Sequence, residues 1–471
     1  MKPRIVRRRR YTYRLGCSIL ILGLAVLTFW LLWRHILEST HQRSTHLLGL
    51  GNQGMAVFIY AVIFYFSGRF LKAFQIGVER KTKLVASVVL TVFLTDMVEV
   101  VISMAIVNNF RFFFDFFWRY LLLAIGQSVL FGALSIFLVN LYRKLVPPMG
   151  LLIVSGDHEN DVAQKMNGIF HKYKVEESVR YDIPQREMQD KIEAHEAVLI
   201  NDIPSVAEHE IIKHCFELDK RVYLIPKISD ILIKGSQDLN VMDTPLYLCR
   251  NLGMSYLEQC LKRFFDIVLS GLALIVLSPV LIVTAMAIHF EDGGPVFFRQ
   301  ERVTRGGRRF MILKFRSMIV DAEKDGRPHP AGEQDDRITK TGHFIRACRI
   351  DELPQLINIL KGDMSIVGPR PERWEHVEKY SREIPEFHFR EKVKGGLTGY
   401  AQVYGKYNTT ALDKLKLDLI YITNFSLILD LQIIFETVKI LFQRESTEGF
   451  SEKQAKVMHD SLDAGEKTEA R

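Results

Sequence analysis

A chain of 471 residues exceeds one ordinary domain and points to about two to four. Its hydrophobic content of 48% is too low for a wholly membrane-embedded protein, and its net charge of +8 suits anionic headgroups or phosphorylated substrates. Nucleic acid is set aside as a partner, because no zinc-ligand spacing, RNP-like aromatic motif or helix-turn-helix accompanies the basic residues.

Four long apolar runs open the chain, at about 16–37, 54–76, 84–107 and 112–141. Each is long enough to cross a hydrocarbon core of about 30 Å as a helix, and none reads as a cleaved signal peptide. Basic residues concentrate before the first run (Arg7 to Arg10), in the second link (Arg69, Lys72, Arg80, Lys81, Lys83) and after the fourth run (Arg143, Lys144). That distribution places both ends of a four-helix bundle on the cytoplasmic side. Asp96 and Glu99 fall inside the third run. With no second polar helix to continue an ion path, they are expected to serve helix packing or to face headgroups.

From about 150 to 245 short β-like runs alternate with amphipathic stretches. Leu151–Val154, Ala197–Ile200 and Arg221–Ile225 read as buried parallel strands, and Asp161–Tyr173 and Val206–Leu218 as helices. The pattern predicts a small open α/β sheet of Rossmann-like type. Ser155-Gly156-Asp157 stands where a phosphate loop would follow the first strand, but GxGxxG is absent, so a structural or regulatory role is expected.

A further apolar run, Phe264 to Phe290, is interrupted by Ser278-Pro279. Proline removes one backbone hydrogen bond, and Ser278 is available to satisfy the freed group. Basic segments flank the run on both sides, Lys262-Arg263 and Arg299–Arg316, and give no inside–outside asymmetry. The expected element is a re-entrant helix that enters one leaflet, bends at Ser278-Pro279 and returns; a kinked spanning helix is the alternative.

Downstream, Asp351 and Glu352 sit side by side within Arg346-Ala-Cys-Arg-Ile-Asp-Glu-Leu-Pro-Gln355, between Lys314-Phe-Arg-Ser-Met318 and Gly368-Pro-Arg-Pro-Glu372. Alone, such a pair reads as a helix N-cap. Carboxylates, cations suited to phosphates and a broken apolar helix together suggest phosphoryl chemistry at a bilayer surface. The five cysteines are scattered without a CxxC pair, which argues against disulfides or zinc, and Cys348 is read as a small buried thiol on a helix.

From Lys262 to about Phe450 the chain resembles the catalytic domain of the bacterial sugar transferases. These are the monotopic polyprenyl-phosphate phosphoglycosyl transferases that start exopolysaccharide and O-antigen repeat units. The resemblance rests, in order, on Lys262-Arg-Phe-Phe-Asp266, Ser278-Pro279, Gly294-Pro-Val-Phe-Phe-Arg-Gln300, Lys314-Phe-Arg-Ser-Met318, Asp351-Glu-Leu-Pro-Gln355, Gly362 to Pro371 and Gly396-Leu-Thr-Gly-Tyr-Ala-Gln402. The bundle and α/β region resemble the long members of that family.

The resemblance implies transfer of a sugar-1-phosphate from a UDP-sugar to undecaprenyl phosphate, with release of UMP. Asp351 would be the nucleophile that forms a covalent phosphosugar intermediate, and Glu352, beside Asp351, would bind Mg²⁺. Lys314, Arg316, Arg346 and Arg370 would hold substrate phosphates, and Gly368, Pro369, Pro371 and Gln402 would form a nucleotide loop. The implied setting is the bacterial inner membrane, with the catalytic domain cytoplasmic and surfaces available for a homodimer. Asp418, Tyr421 and Asp430 match a late family pattern and equally suit an ordinary amphipathic helix.

Cys348-Arg349 departs from the uncharged stretch common in relatives, and an inward Arg349 would lower the Asp351 pKa. The resulting expectation is a bundle over 1–145, an α/β domain over 146–250, a mostly α-helical catalytic domain over 251–450, and a polar, disordered tail over 451–471. A polar loop is expected at Lys324–Asp336. A non-catalytic scaffold of polysaccharide assembly is the rival reading. A transporter is disfavoured by four helices without inverted repeats. The identity of the sugar is not legible.

Overall fold

The computed structural model describes residues 3–40, 50–107, 113–156, 162–249, 254–320, 335–405 and 409–441. The chain divides into two compact units, Met1–Pro226 and Lys227–Arg471.

The first unit opens with four helices, α1 (Pro3–Thr40), α2 (Leu50–Phe70), α3 (Lys81–Val107) and α4 (Phe113–Leu145). Each carries a stretch long and apolar enough to cross a membrane. In lipid, apolar side chains gain little by moving from bilayer to helix interface, so close packing must hold such a bundle together. Large rings provide it: Phe29, Tyr60, Phe64, Phe116, Tyr120 and Phe131 are all fully enclosed. Phe29 of α1 stacks on Tyr60 of α2 with centroids 4.0 Å apart. Aliphatic and aromatic side chains such as Phe58, Leu122 and Val129 cover the outside.

The same unit continues through β1 (Met149–Ser155), α5 (Val162–Asn167), β2 (Tyr173–Arg180), α6 (Gln185–Ala194), β3 (Ala197–Asn201), α7 (Ser205–Glu217) and β4 (Arg221–Leu224). All four strands are parallel in the order β2-β1-β3-β4, and Leu151 pairs with Val175 on one side and Ala197 on the other. Strand β2 was not predicted, because Asp161–Tyr173 reads as one helix while α5 covers only Val162–Asn167. Its sequence, Tyr-Lys-Val-Glu-Glu-Ser-Val-Arg, carries charges on an exposed face, as an edge strand with one solvated side should. Asp157 lies outside the described residues. Arg10 of α1 is buried and donates to Glu196 Oε1 at 2.6 Å and to Pro147 O at 3.1 Å, tying helix and sheet together.

The second unit begins with α8 (Ile228–Lys234) and an exposed antiparallel hairpin, β5 (Gln237–Val241) and β6 (Thr244–Leu248). Helix α9 (Tyr256–Asp292) follows, opened by a Ser255–Glu258 capping box and closed by Gly293 at φ 70°. It runs through Pro279, and Ser278 Oγ donates at 2.7 Å to Ile275 O, the carbonyl that Pro279 leaves without its usual donor. The remaining elements are β7 (Phe297–Val303), β8 (Arg309–Phe315), α10 (Lys340–Ala347), α11 (Gln355–Lys361), β9 (Ser365–Val367), α12 (Trp374–Glu383), β10 (Gly396–Thr398), α13 (Tyr400–Tyr404), α14 (Ala411–Thr423) and α15 (Leu427–Leu441). Strands β7 and β8 form an antiparallel hairpin, and β9 and β10 a short parallel pair. Phe387, Leu415, Leu419, Tyr421 and Ile433 form the enclosed centre of this unit. Most of the loop predicted at Lys324–Asp336 and all of the tail after Gly449 lie outside the described residues.

Candidate active site

Asp351 and Glu352 occupy a 3-10 turn, Ile350–Glu352, between α10 and α11. The Thr339 side chain caps α10 by accepting from Gly342 N at 2.9 Å, and Gly342 lets the backbone approach Ser317 O, which a Cβ would meet at 2.0 Å. After α10 the chain reverses through Arg349 at φ 55°, a left-handed conformation that costs a non-glycine residue about 1–2 kcal/mol. Such strain next to reactive groups marks a conformation fixed by its surroundings. Helix α11 is held to the hairpin by Asn358, which accepts from Leu313 N and donates to Met311 O, both at 2.9 Å. This amide replaces a neighbouring strand along β8 and sets the height of Lys314 beside the acid pair.

Two cations converge on Glu352 Oε1. Arg370 Nη2 donates at 2.7 Å and Lys314 Nζ at 3.1 Å. Burial alone would raise the Glu352 pKa, but Arg370 and Lys314 overcome it and hold the carboxyl well below the usual range. Asp351 moves the other way. Burial and then the Glu352 charge raise its pKa, against weaker pulls from Lys314, Arg346 and Arg370. Among the described residues Asp351 makes no side-chain hydrogen bond. The adjacent carboxylates are thus inequivalent: one is a fixed anion locked to two cations, and the other is a more basic, unbonded oxygen pair. The conditional expectation for Arg349 is not met, since its charge acts on Glu352 while Asp351 is shifted upward. Cys348 is exposed at the C-cap of α10, correcting the expectation of a buried thiol; it faces outward where the helix ends.

The loop carrying Arg370 is fixed by its backbone. Gly368 N donates to Thr398 O at 2.9 Å, and Gly396 N to Pro369 O at 2.8 Å. A Cβ on Gly368 would lie 2.4 Å from Lys394 O, and one on Gly399 2.1 Å from Gly368 O, so both positions require glycine. Gln402 Nε2 donates to Leu397 O at 3.2 Å, while its Oε1 is buried behind this junction. Pro369 and Pro371 hold the segment between these anchors at restricted φ.

A second charged cluster supports the loop from behind. Arg390 Nη2 donates to Arg370 O at 2.9 Å and stands 2.8 Å from Asp418 Oδ2. Glu372 pairs with Lys414 at 2.9 Å and Arg390 at 3.6 Å. Burial would raise Glu372, but Arg390 and Lys414 bring it down to about 2. Burial pushes Asp418 up to about 6 despite Arg390. Arg390 was not singled out in the sequence; within Phe387-His-Phe-Arg-Glu-Lys392 it looks like any charge of a solvated face.

Tyr421 and Asp430 join a separate network. Lys262 of α9 donates to Asp430 Oδ2 at 2.5 Å, and Tyr421 OH donates to Asp430 Oδ1 at 2.8 Å. Asp266, one turn later, accepts from Ser365 Oγ at 3.1 Å and Ile366 N at 2.9 Å. These bonds anchor α9 to β9 and α15. Arg346 is half-buried and acts on Asp351 through its charge without bonding it. Arg316 is buried and ion-paired to Asp292 at the end of α9, while Nε and Nη1 have no hydrogen-bond partner among the described residues. Arg305, Arg308 and Arg309 bond Gln259, Asp363 and Glu301.

Residues 257–444 match the family model described as bacterial sugar transferase. A UDP-N-acetylgalactosamine-undecaprenyl-phosphate N-acetylgalactosaminephosphotransferase of Aeromonas hydrophila is 45% identical over 184 residues, 38% of this chain and 43% of the relative. A UDP-glucose:undecaprenyl-phosphate glucose-1-phosphate transferase of Escherichia coli K12 is 41% identical over 222 residues, 46% of this chain and 48% of the relative. One of the same description from Caulobacter vibrioides is 43% identical over 192 residues, 39% of this chain and 71% of the relative. The chain spans about half the length of the first two.

Proposed function

We propose that this chain, which belongs to the bacterial sugar transferase family, transfers a sugar-1-phosphate from a UDP-sugar to undecaprenyl phosphate at the cytoplasmic face of a bacterial inner membrane. The observation that carries this reading is the split between Asp351 and Glu352 beneath Lys314 and Arg370. The diphosphate of a UDP-sugar repels any carboxylate until its charge is offset. Lys314, Arg346 and Arg370 supply that offset, and Glu352 keeps Lys314 and Arg370 in position before substrate arrives.

In the first step an Asp351 oxygen attacks the sugar-linked phosphorus. The bond from that phosphorus to the bridging oxygen breaks, UMP leaves with the electron pair, and the phosphosugar remains on Asp351. In the second step the phosphate of undecaprenyl phosphate attacks the same phosphorus, giving the lipid diphosphate sugar and restoring the Asp351 carboxylate. The raised Asp351 pKa makes it the more nucleophilic of the two acids, while Arg370 and Lys314 engage Oε1 of Glu352 and leave Oε2 for a metal ion. Arg316, ion-paired to Asp292 at the end of α9, is read as a contact for the lipid phosphate. The loop Gly368 to Pro371, with Gln402 behind it, would border the nucleotide.

Among the described residues no group of three His, Cys, Asp or Glu side chains could hold a metal alone. Mg²⁺ needs only one or two carboxylates when substrate phosphates and water complete its shell, so Glu352 with adjoining Asp351 fits it. Bound there, it would neutralise diphosphate charge.

The re-entrant reading of α9 draws on its attachments. Near its start Lys262, Arg263 and Asp266 bond α15, α11 and β9. At its end Glu291 accepts from Lys340 N at 2.9 Å, and Asp292 pairs with Arg316. Between them Ile275, Val276, Ile282 and Val283 are exposed and apolar. A helix of 37 residues could extend about 55 Å, yet polar contacts at both ends join it to one compact unit, which favours entry and exit on one side of the bilayer. We read 1–145 as the membrane bundle, 146–250 as an accessory α/β domain and 251–450 as the catalytic domain.

UMP release by the full chain, with undecaprenyl phosphate and a panel of UDP-sugars, tests the reading. Release above background with one or more sugars, lost in Asp351→Ala and Glu352→Ala, is expected; full release by either variant would favour the scaffold reading.

A further inference from the structure

The first compact unit contains another acidic pair, one that no lysine, arginine or histidine among the described residues faces. Asp96 and Glu99 lie three residues apart on α3 and so leave the helix on one face. Both are fully enclosed by the bundle. Of the two expected roles, helix packing or facing headgroups, that enclosure fits the first and not the second, and α2 and α4 supply the polar neighbours that the sequence did not reveal. The Tyr60 hydroxyl of α2 lies 3.3 Å from Asp96 Oδ1 and 3.1 Å from Gln127 Oε1 of α4. Gln127 Nε2 donates to Thr28 Oγ1 of α1 at 2.8 Å and reaches Ala25 O at 3.5 Å. Ser103 of α3 and Tyr120 of α4 share a hydroxyl bond of 2.8 Å.

Counting donors exposes a deficit. Asp96 Oδ2 and both Glu99 oxygens are buried with no hydrogen-bond partner. Tyr60 has one proton for two acceptors, and the Gln127 amide is directed at α1. The titratable groups facing the pair are Tyr60 from α2 and Tyr120 from α4; among the described residues no lysine, arginine or histidine of α1, α2 or α4 does so. Arg10, a buried charge elsewhere in the unit, is committed to Glu196. Two ionised carboxylates in a dry bundle would each carry an unmatched desolvation penalty of several kcal/mol. The cluster is rich in acceptors and lacks positive charge.

We propose that Asp96 and Glu99 form a small-cation site inside the bundle, filled by a proton or an alkali ion and closed by Tyr60, Gln127 and Tyr120. Either source supplies the missing charge, and occupancy ties the packing of the four helices to the cation.

The test uses the full chain in phosphatidylcholine nanodiscs, with thermal unfolding measured in NaCl, KCl and choline chloride at equal ionic strength. Infrared spectra across pH accompany it, with ¹³C-labelled glutamate carboxyls to identify the glutamate bands. An alkali ion predicts a midpoint raised by about 2–4 °C over choline chloride, for about 1 kcal/mol of binding, and lost in Asp96→Asn and Glu99→Gln. A proton predicts equal midpoints in the three salts and a label-shifted carboxylic C=O band at neutral pH that disappears in Glu99→Gln. Equal midpoints in all salts with no such band would overturn the proposal, and because both readouts exist for the unsubstituted protein, a variant that fails to fold does not remove the test.

Discussion

Asp351 and Glu352 are packed among Lys314, Arg346 and Arg370, whereas Asp96 and Glu99 are enclosed by tyrosines, a glutamine and hydroxyls, with no cation among the described residues facing them. Both pairs place two carboxylates within one helical turn of sequence, the first part-buried and the second fully enclosed. At the first, permanent cations fix one acid as an anion and leave the other unbonded. At the second, no lysine, arginine or histidine among the described residues supplies the charge. Proximity of two acids therefore does not specify chemistry; the surrounding charges do, and only the first site is arranged to meet an anionic substrate.

The largest effect should come from removing the unbonded acid. Asp351→Asn should lower turnover by about 10⁴-fold, as expected for loss of a nucleophile, in an assay of lipid-linked sugar formation. Arg370→Ala should cost about 10²–10³-fold in kcat, the range for one charge-stabilising donor. Loss confined to KM would mean that Arg370 binds substrate and transition state equally. Arg390→Met should act through Arg370, lowering kcat in the same direction but less, because it removes the support for the Arg370 carbonyl and leaves the guanidinium present.

Stability should separate the two acids of the first pair. Glu352 has a depressed pKa in the folded chain, so it contributes stability above its unfolded value that is lost as pH falls through the folded one. Glu352→Gln should destabilise by about 1–3 kcal/mol at neutral pH, since it removes the charged partner of the part-buried Lys314 and of Arg370, whose side chain is 39% exposed and screened by solvent. Asp351 has a raised pKa, so its stabilising contribution is present at low pH and lost as pH rises through the folded value. Asp351→Asn should therefore raise the unfolding midpoint slightly at neutral pH while abolishing turnover. Equal destabilisation by the two substitutions would contradict the division of labour. The same raised value places the acid limb of UMP release above the ordinary aspartate range near about 3.9, which a pH–rate profile checks.

Much of this was readable from residues whose chemistry is local. Pro279 deprives one carbonyl, and Ser278 bonds that same carbonyl. The apolar runs became α1–α4, and the strand at Ala197 needed only one more residue. What was missed depends on tertiary neighbours. Strand β2 is an edge strand whose charges mask its period, and Arg390 looks like a surface residue until it packs behind the loop at Arg370 with Glu372 and with Asp418, which the sequence left between a functional and an ordinary helical role. Arg316 lies near Lys314 in sequence, yet their side chains serve different partners, Asp292 and Glu352. In the bundle, Tyr60 sits on α2 and Gln127 and Tyr120 on α4, apolar helices distant in sequence from Asp96 and Glu99, so nothing local announced that they meet.

The covalent role of Asp351 is tested most directly by a single-turnover experiment without undecaprenyl phosphate, using UDP-sugar labelled in the sugar-linked phosphate. The account predicts a burst of UMP of up to one per active chain, with label retained on the peptide containing Asp351 and released as lipid-linked sugar once the acceptor is added. UMP that forms only when the acceptor is present, with no label on the protein at any time, would contradict it.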